Sequence, residues 1–452
     1  MIRARRRVAV VGSGISGLAA AWQLAGSADV VLFEADSHFG GHAHTVDLTL
    51  PGPAGSGAIT PISHGVDTGF LVFNHATYPK LVQLFADLAV PTAPSEMSFS
   101  VQVPQIGLEW SGCNLDTVFA QRRNLVNPRF LGMLRDLLRF NRLATAVAER
   151  GDETALQQPI GDFLALHGFS AAFRDWYLLP MLGCIWSCPT DQMLRFPVAT
   201  MIRFCHNHGL IRVTDRPQWH TVRGGSREYV RRMLARIPDA RRNTPVLALR
   251  RVPPGTASAG VWLDTWQGSA HFDDVVLAGH SDQSLALLGA QASSAEQAVL
   301  GAIRYQRNRA LLHTDASLLP KRKKAWAAWN YERSAATGAP EQSAVCLHYL
   351  INRLQPLPWT TPVVVSLNPT REPAPGTLHA EFDYAHPVFD LAAIAAQARL
   401  PQIQGSSHVW FAGAWTRYGF HEDGLRSGLA VADALRASWA TQDASAPLRA
   451  AA

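Results

Sequence analysis

The sequence predicts an α/β fold: a parallel sheet flanked by helices, with a second, discontinuous α+β region attached. Three observations predict it. A β-branched strand, Val8–Val11, runs directly into Gly12-Ser13-Gly14-Ile15-Ser16-Gly17 and then into a helix pattern ending near Leu24. A second strand, Val30–Phe33, ends on an acid, Glu34, twenty residues beyond Gly14. Close to the C-terminus a short strand, Val409–Phe411, leads through Gly413 towards a glycine-containing turn, Gly424–Gly428, and a last helix near Leu425–Leu435. Strand, glycine loop, helix, strand and acid in this order are the parts of a Rossmann-type dinucleotide-binding unit.

Each part has a physical task. Gly12 permits the tight turn, Gly14 lets the backbone approach a pyrophosphate, and Gly17 lets helix and strand pack closely. With Ser13, Ile15 and Ser16 they open a helix whose free N–H groups and positive dipole end favour phosphate. Glu34, followed by Ala35, would accept hydrogen bonds from ribose hydroxyls and would repel a 2′-phosphate, which disfavours NADP. A second glycine pair, Gly40-Gly41, follows with His42 and His44, and Val66-Asp67-Thr68-Gly69-Phe70 supplies another close backbone approach. A plain NAD dehydrogenase does not need that second pair; FAD, bound without a covalent link, is the cofactor expected.

Composition sets the wider limits. A chain of 452 residues exceeds one compact core and suits two domains. The hydrophobic fraction is 47%, the charged fraction only 17%, and there are 13 Trp, which fits a large apolar interior or an apolar substrate cavity. The five Cys (113, 184, 188, 205 and 346) are odd in number, form no disulfide framework and complete no zinc site. They read as ordinary buried thiols, so no metal is expected and a reducing cytoplasm is the simple setting. Arg3–Arg7 and the apolar run after them could pass for a signal peptide, but the run continues as the glycine motif. No 18-residue apolar stretch is present, so no membrane span is expected. Net charge is +6, with basic runs at Arg3–Arg7, Arg231–Arg242 and Lys321–Lys324. Their bland reading is a solvated surface; the sharper one is contact with the anionic inner face of a membrane. No nucleic-acid module is found, and nucleic acid is not an expected partner.

The chain resembles the superfamily of flavin-containing amine oxidases, phytoene desaturases and protoporphyrinogen oxidases. The resemblance rests on the two segments above and two more. The third is Val222-Arg223-Gly224-Gly225-Ser226, a helix near Tyr229–Ala235, a strand at Pro245–Leu249 and a returning strand at Asp273–Ala278. The fourth runs from Val409 to Trp415 and from Gly419 through Phe420, His421, Glu422, Asp423, Gly424 and Leu425 to Gly428. By this resemblance the backbone of Val246 meets the adenine, Gly413 meets phosphate and ribitol, and Glu422, Gly424 and Leu425 belong to the cofactor site. Such proteins usually carry Arg where this chain has His42, and often Tyr where it has Phe420. A lysine of the amine oxidases has no counterpart among residues 304–309, which hold Arg304, Arg307 and Arg309. Asn207-His208-Gly209-Leu210, Arg216-Pro217-Gln218-Trp219, Asn330-Tyr331-Glu332, Asn352–Gln355 and His386–Asp390 resemble a bacterial branch of predicted FAD/NAD-binding proteins. That branch is associated with fatty-acyl methylation and furan fatty acid synthesis.

The resulting expectation is an FAD-binding domain of residues 1–82, 212–290 and 405–440. A substrate domain of 83–211, mainly helical with an amphipathic helix at Arg129–Val147, and 291–404, of mixed strands, completes the chain, with a flexible tail over 441–452. Strands are expected at Arg309–Thr314, Ala344–Tyr349, Val363–Leu367 and Leu378–Tyr384. His421, Phe420 and Trp415 are the candidate catalytic residues: His421 as acid, base or positive charge beside the flavin, the other two as walls. Tyr418 and Trp186 are further candidate walls, while Asn207, His208 and Trp219 read equally as core. Three functions fit. The first is a desaturase or oxidase of a lipid acyl substrate, the second a small-amine oxidase. The third is a flavin-bound accessory subunit of a lipid methyltransferase.

Overall fold

In the computed structural model the described residues are 5–52, 60–150, 158–207, 217–252, 259–333 and 345–449. The β-branched run after the N-terminal arginines forms the strand Arg7–Val11, the centre of a five-stranded parallel sheet. The order across that sheet is Asp239–Arg241, Asp29–Phe33, Arg7–Val11, Asp274–Leu277, Val409–Phe411. Because side chains alternate across a strand, Val8, Val10, Val30, Leu32 and Val276 enter one core and Ala9, Val31, Val275, Leu277 and Phe411 another. Helix α1 (Ile15–Leu24) covers the first face. The antiparallel strands Val246–Val252, Gly260–Thr265 and Gly268–Phe272 contribute Val246, Leu249, Val261, Leu263 and Phe272 to the second core.

The second large sheet has seven strands in the order Leu378–Val388, Arg304–His313, Val364–Leu367, Cys346–Leu350, Trp329–Glu332, Phe99–Val103, Leu108–Ser111. All four strands expected in 291–404 are present. The strand expected to end at Tyr384 continues to Val388, and the Arg309–Thr314 strand starts earlier, at Arg304. Residues 83–211 are not simply helical: Phe99–Val103 and Leu108–Ser111 extend the seven-stranded sheet, and Thr92–Ser95 pairs with Trp219–Val222. Phe99-Ser100-Val101-Gln102-Val103 and Leu108-Glu109-Trp110-Ser111 alternate apolar and polar residues, a strand signal that the expectation of a mainly helical segment passed over. Helix α2 (Pro79–Asp87) precedes these strands; the short α3 (Leu115–Val118) and then α4 (Pro128–Arg150), which contains the amphipathic helix expected at Arg129–Val147, follow them.

The last helix runs from His421 to Arg449. Two expectations are corrected by it. The stretch Gly424–Gly428 is helix rather than a turn that opens one, and residues 441–449 continue that helix instead of forming a loose tail, with Asp443 paired to Arg6 at 3.3 Å. Glycine at 424 and 428 is demanded by packing. A Cβ on Gly428 would run into the Ser16 carbonyl oxygen, and one on Gly424 would lie 2.7 Å from Ile15 Cγ2. The first and last helices of the chain are thereby in backbone contact. Among the described residues no helix is long and apolar enough to cross a membrane.

Candidate functional site

At the carboxyl end of the parallel sheet a cavity of about 1900 Å³ opens. That is larger than the few hundred to about 1,000 Å³ of an ordinary ligand pocket, and it has two chemically distinct ends. The first is bounded by Gly12–Ser16, Glu34–His38, Gly40–His42, Thr68–Val72, Thr244–Leu247, Leu277–His280 and Gly413–Trp415.

Here the glycine loop turns with Gly12 at φ +100°, a left-handed value that favours glycine. No atom lies within 4 Å of where a Gly14 Cβ would stand, whereas one on Gly17 would strike the Gly12 carbonyl oxygen. Gly14 therefore keeps space open for a ligand and Gly17 serves helix–strand packing. The start of α1 has no side-chain cap and no acid in its first turn, so its N–H groups are left for an anion from outside. Glu34 is fixed at the floor by hydrogen bonds from the Ser13 N–H, the Ser13 hydroxyl and the Asp36 N–H. Gly41 lies on Gly14, a Cβ there reaching within 3.2 Å of the Gly14 Cα. A Gly69 Cβ would collide with the His42 carbonyl oxygen. Two glycine loops and Thr68–Phe70 thus close round one cradle. An uncapped helix start, an open Gly14 and an acid placed for ribose are the donors and acceptors FAD needs, so the residues present fit it.

Histidines dominate the middle of the cavity. His42 has its ring 5.1 Å from Tyr384 and 5.2 Å from His386. Its Nε2 is sealed from solvent with no hydrogen-bond partner among the described residues, which marks it as an atom waiting for a ligand. Enclosure in the fold, and then the nearby histidines, hold its pKa well below the ordinary value. His386 is pushed down to about 4 by the same enclosure. A ring of neutral imidazoles, not a guanidinium, therefore faces this part of the cavity.

His421 is the first residue of the last helix. Its ring lies flat on Phe70, centroids 3.8 Å apart, and its Nε2 meets the Tyr229 hydroxyl at 2.8 Å. Enclosure lowers its pKa to about 3. Enclosure therefore disfavours a positive charge on His421, one of the expectations above, and the ring is a hydrogen-bonding group clamped in place. Phe420 stacks on Phe204 at 4.7 Å and lines the cavity. Trp415 borders the cavity but is packed in the core, only 2% exposed, with its indole N–H on the Gly279 carbonyl oxygen.

Glu422, Gly424 and Leu425 do not reach the cavity. Helical spacing turns them elsewhere: Glu422 accepts hydrogen bonds from the Lys80 and Leu81 N–H groups at the start of α2, Gly424 meets α1, and Leu425 is wholly in the core. Gly17, also expected at the cofactor, does not border the cavity either, because it packs α1 against Gly12, whereas Gly12–Ser16, Glu34, Ala35, Gly41, His42, Thr68–Phe70, Val246 and Gly413 all border it. Sequence reading missed His280, Tyr305, Tyr384 and His386. The alternation of Phe382, Tyr384 and His386 along one strand was the available signal. Asn207 ends a helix and Trp219 borders the cavity; His208 lies outside the described residues.

The far end of the cavity is an apolar tunnel. Phe99, Trp110, Met181, Cys184, Ile185, Trp186, Phe204 and Trp329 line it, and Leu134, Leu137 and Leu138 of α4 finish it. Arg307, paired with Asp383 and 84% exposed, is the only Lys or Arg bordering the whole cavity among the described residues. Asn141 Oδ1, Trp186 Nε1 and Trp329 Nε1 have no partner among those residues.

One more polar cluster, Glu332, Cys346 and His348, is buried within the seven-stranded sheet. Its hydrogen bonds account for it. The Asp315 N–H donates to His313 Nδ1, so the neutral His313 ring donates from Nε2 to Ser366 Oγ. Ser366 then donates to His348 Nδ1, which leaves the His348 Nε2–H for Glu332, 3.3 Å away. Burial pushes the Cys346 thiol up, so it stays protonated.

A model of the NAD(P)-binding Rossmann-like domain family matches residues 10–88. No curated protein sequence matches the chain significantly. Among solved structures, a fatty acid isomerase from P. acnes that produces CLA superimposes with a TM-score of 0.63 at 15% identity, covering 95% of this chain and 99% of the isomerase. Cyclohexylamine oxidase from Brevibacterium oxydans IH-35A gives 0.62 at 17% identity, covering 96% and 100%. This is the amine-oxidase fold. Putrescine oxidase bound to putrescine gives 0.62 at 15% identity, covering 96% and 99%. The amine-oxidase fold thus hosts both amine and fatty-acid chemistry, and fold alone does not choose between them.

Proposed function

We propose that this chain is an FAD-dependent oxidoreductase that removes hydrogen from a lipid acyl chain. The carrying observation is the continuity of one cavity: a dinucleotide cradle at one end runs into an apolar tunnel at the other. FAD, when bound, would accept the hydride, and the proton lost from the neighbouring carbon would balance the two-electron reduction of the ring or pass to solvent.

The residues supply the rest. Gly12–Ser16, Glu34, Gly41, His42 and Thr68–Phe70 would hold the cofactor. Phe420 and Phe204 offer stacked apolar rings to a substrate between cradle and tunnel. His421, neutral and fixed between Phe70 and Tyr229, orients without carrying charge. Burial of an acyl chain in such a tunnel is favourable by about 0.8 kcal/mol per methylene. A small ammonium ion would find little compensation there. Among the residues bordering the far end, Glu96 is an acid, and it is already held by Arg353 and Ser98.

The test is anaerobic bleaching of the bound flavin with dispersed phospholipids carrying methylated acyl chains, run beside a panel of amines. Bleaching by lipids alone is expected. Bleaching by an amine alone sinks this reading in favour of an amine oxidase.

A further inference from the structure

We infer that the tunnel mouth between α3 and α4 docks on an anionic lipid bilayer, and that the substrate chain enters there while its head group stays outside; this rests on the lipid reading just given. Leu115 and Leu138 border the cavity, yet are 78% and 52% exposed. Residues that are both lining and exposed mark where the tunnel meets solvent.

The surroundings of that mouth are unusual in two independent ways. Six of the eleven large hydrophobic residues that stand exposed among the described residues fall within one short segment: Ile106, Leu115, Leu125, Val126, Leu131 and Leu138. Single exposed apolar residues need no explanation, but a cluster marks an interaction surface. The segment is also the basic part of the protein. Residues 104–142 and 318–326 together hold ten Lys or Arg against three Asp or Glu, a net of +7 where the whole chain has +6. The two stretches are neighbours in space: Lys324 pairs with Asp116 at 2.6 Å, and Arg322 with Glu109 at 3.1 Å. Arg123, Arg129, Arg135, Lys321 and Lys323 remain exposed around the apolar residues.

Apolar side chains inside a basic rim suit the interfacial zone of an anionic membrane. The chains insert a short way and the cations meet phosphate. The tunnel explains why the face belongs at a membrane. Among the described residues no Lys or Arg borders its apolar length to receive a free carboxylate, which favours an acyl chain still esterified to its head group.

Flotation of the full-length flavoprotein with vesicles tests this. One set is phosphatidylcholine, the other phosphatidylcholine mixed with phosphatidylglycerol. Binding to the mixed vesicles is expected, and it should weaken with salt. Leu115→Asp with Val126→Asp should abolish it. Arg123→Gln and Arg129→Gln should each cost about fivefold. Leu391→Asp, at an exposed apolar position elsewhere, should bind like the parent. Retained flavin absorbance shows that each variant is folded. Failure to float with the mixed vesicles overturns the inference, as does equal binding by the Leu115/Val126 variant. So does a finding that this variant loses a dimer instead of vesicle binding. Floating without bleaching by any dispersed lipid would remove the proposed reaction and leave the surface standing. Bleaching without floating would do the reverse.

Discussion

The ring of His421 lies on the ring of Phe70 at 3.8 Å and 11°, although the two residues come from opposite ends of the chain. The contact, completed by the Tyr229 hydroxyl, fixes the imidazole while enclosure keeps it neutral. The pH profile of turnover should therefore show no titration of His421 near neutrality. Tyr229→Phe should leave a buried ring nitrogen unpaired and cost about 1–3 kcal/mol, read as a lower Tm. His421→Asn should stay within about tenfold of the parent in kcat, a general base being typically worth 100-fold or more. A loss beyond that range would show that His421 moves a proton.

Gly14 and Gly17 should behave differently when each is changed to Ala. With open space at Gly14, the variant should fold, retain the parent circular dichroism and lose flavin. The Gly17 variant should be destabilised by about 1–3 kcal/mol or more through overpacking against Gly12. Equal flavin affinity in Gly14→Ala would show that the cofactor does not approach that backbone.

Glu422→Ala should lower stability by about 1–2 kcal/mol by stripping the start of α2 of its acceptor, with flavin content per folded molecule unchanged. Loss of flavin at constant Tm would return Glu422 to the cofactor site.

Stability should fall on mild acidification. Unfolded histidines take up protons below about 6.5, but burial holds native His313 neutral to about 4. Its contribution is thus complete above 6.5 and is lost as pH falls towards 4, about 2 kcal/mol at pH 5. His386 and His421 act in the same direction but more weakly, because they face the cavity. Asp67 and Asp423 oppose this: burial raises both to about 6. The native state therefore takes up their protons first and gains stability between about 6 and 4. Calorimetry from pH 7 to 5 should show a falling Tm. His313→Gln should flatten the fall and Asp67→Asn should steepen it.

The contrast between Gly14 and Gly424 shows what was legible in the sequence. The N-terminal cradle could be read because its contacts are local: strand, loop, helix and acid lie within thirty residues, and each glycine has one steric reason to be there. The C-terminal segment was found, but its interior was misread. Gly424 and Gly428 look like turn residues until α1 is placed against them, and only that long-range packing makes them helix. Glu422 likewise faces the start of α2, some 340 residues away in the chain. Tyr384 and His386 were missed for a related reason. An alternating strand shows that one face is inward, but not that the inward side is a cofactor cavity.

The contact of α1 with the last helix also sets a timetable. A ribosome releases the glycine loop about 400 residues before His421, yet both border the cradle, and the strand Val409–Phe411 completes the sheet beneath it. A nascent chain therefore carries half a cradle until the last helix has emerged, and the site closes only then. Any product cut short before the last helix leaves the Ser16 face of α1 bare, and the cell meets a colourless chain with an open core, a substrate for proteases.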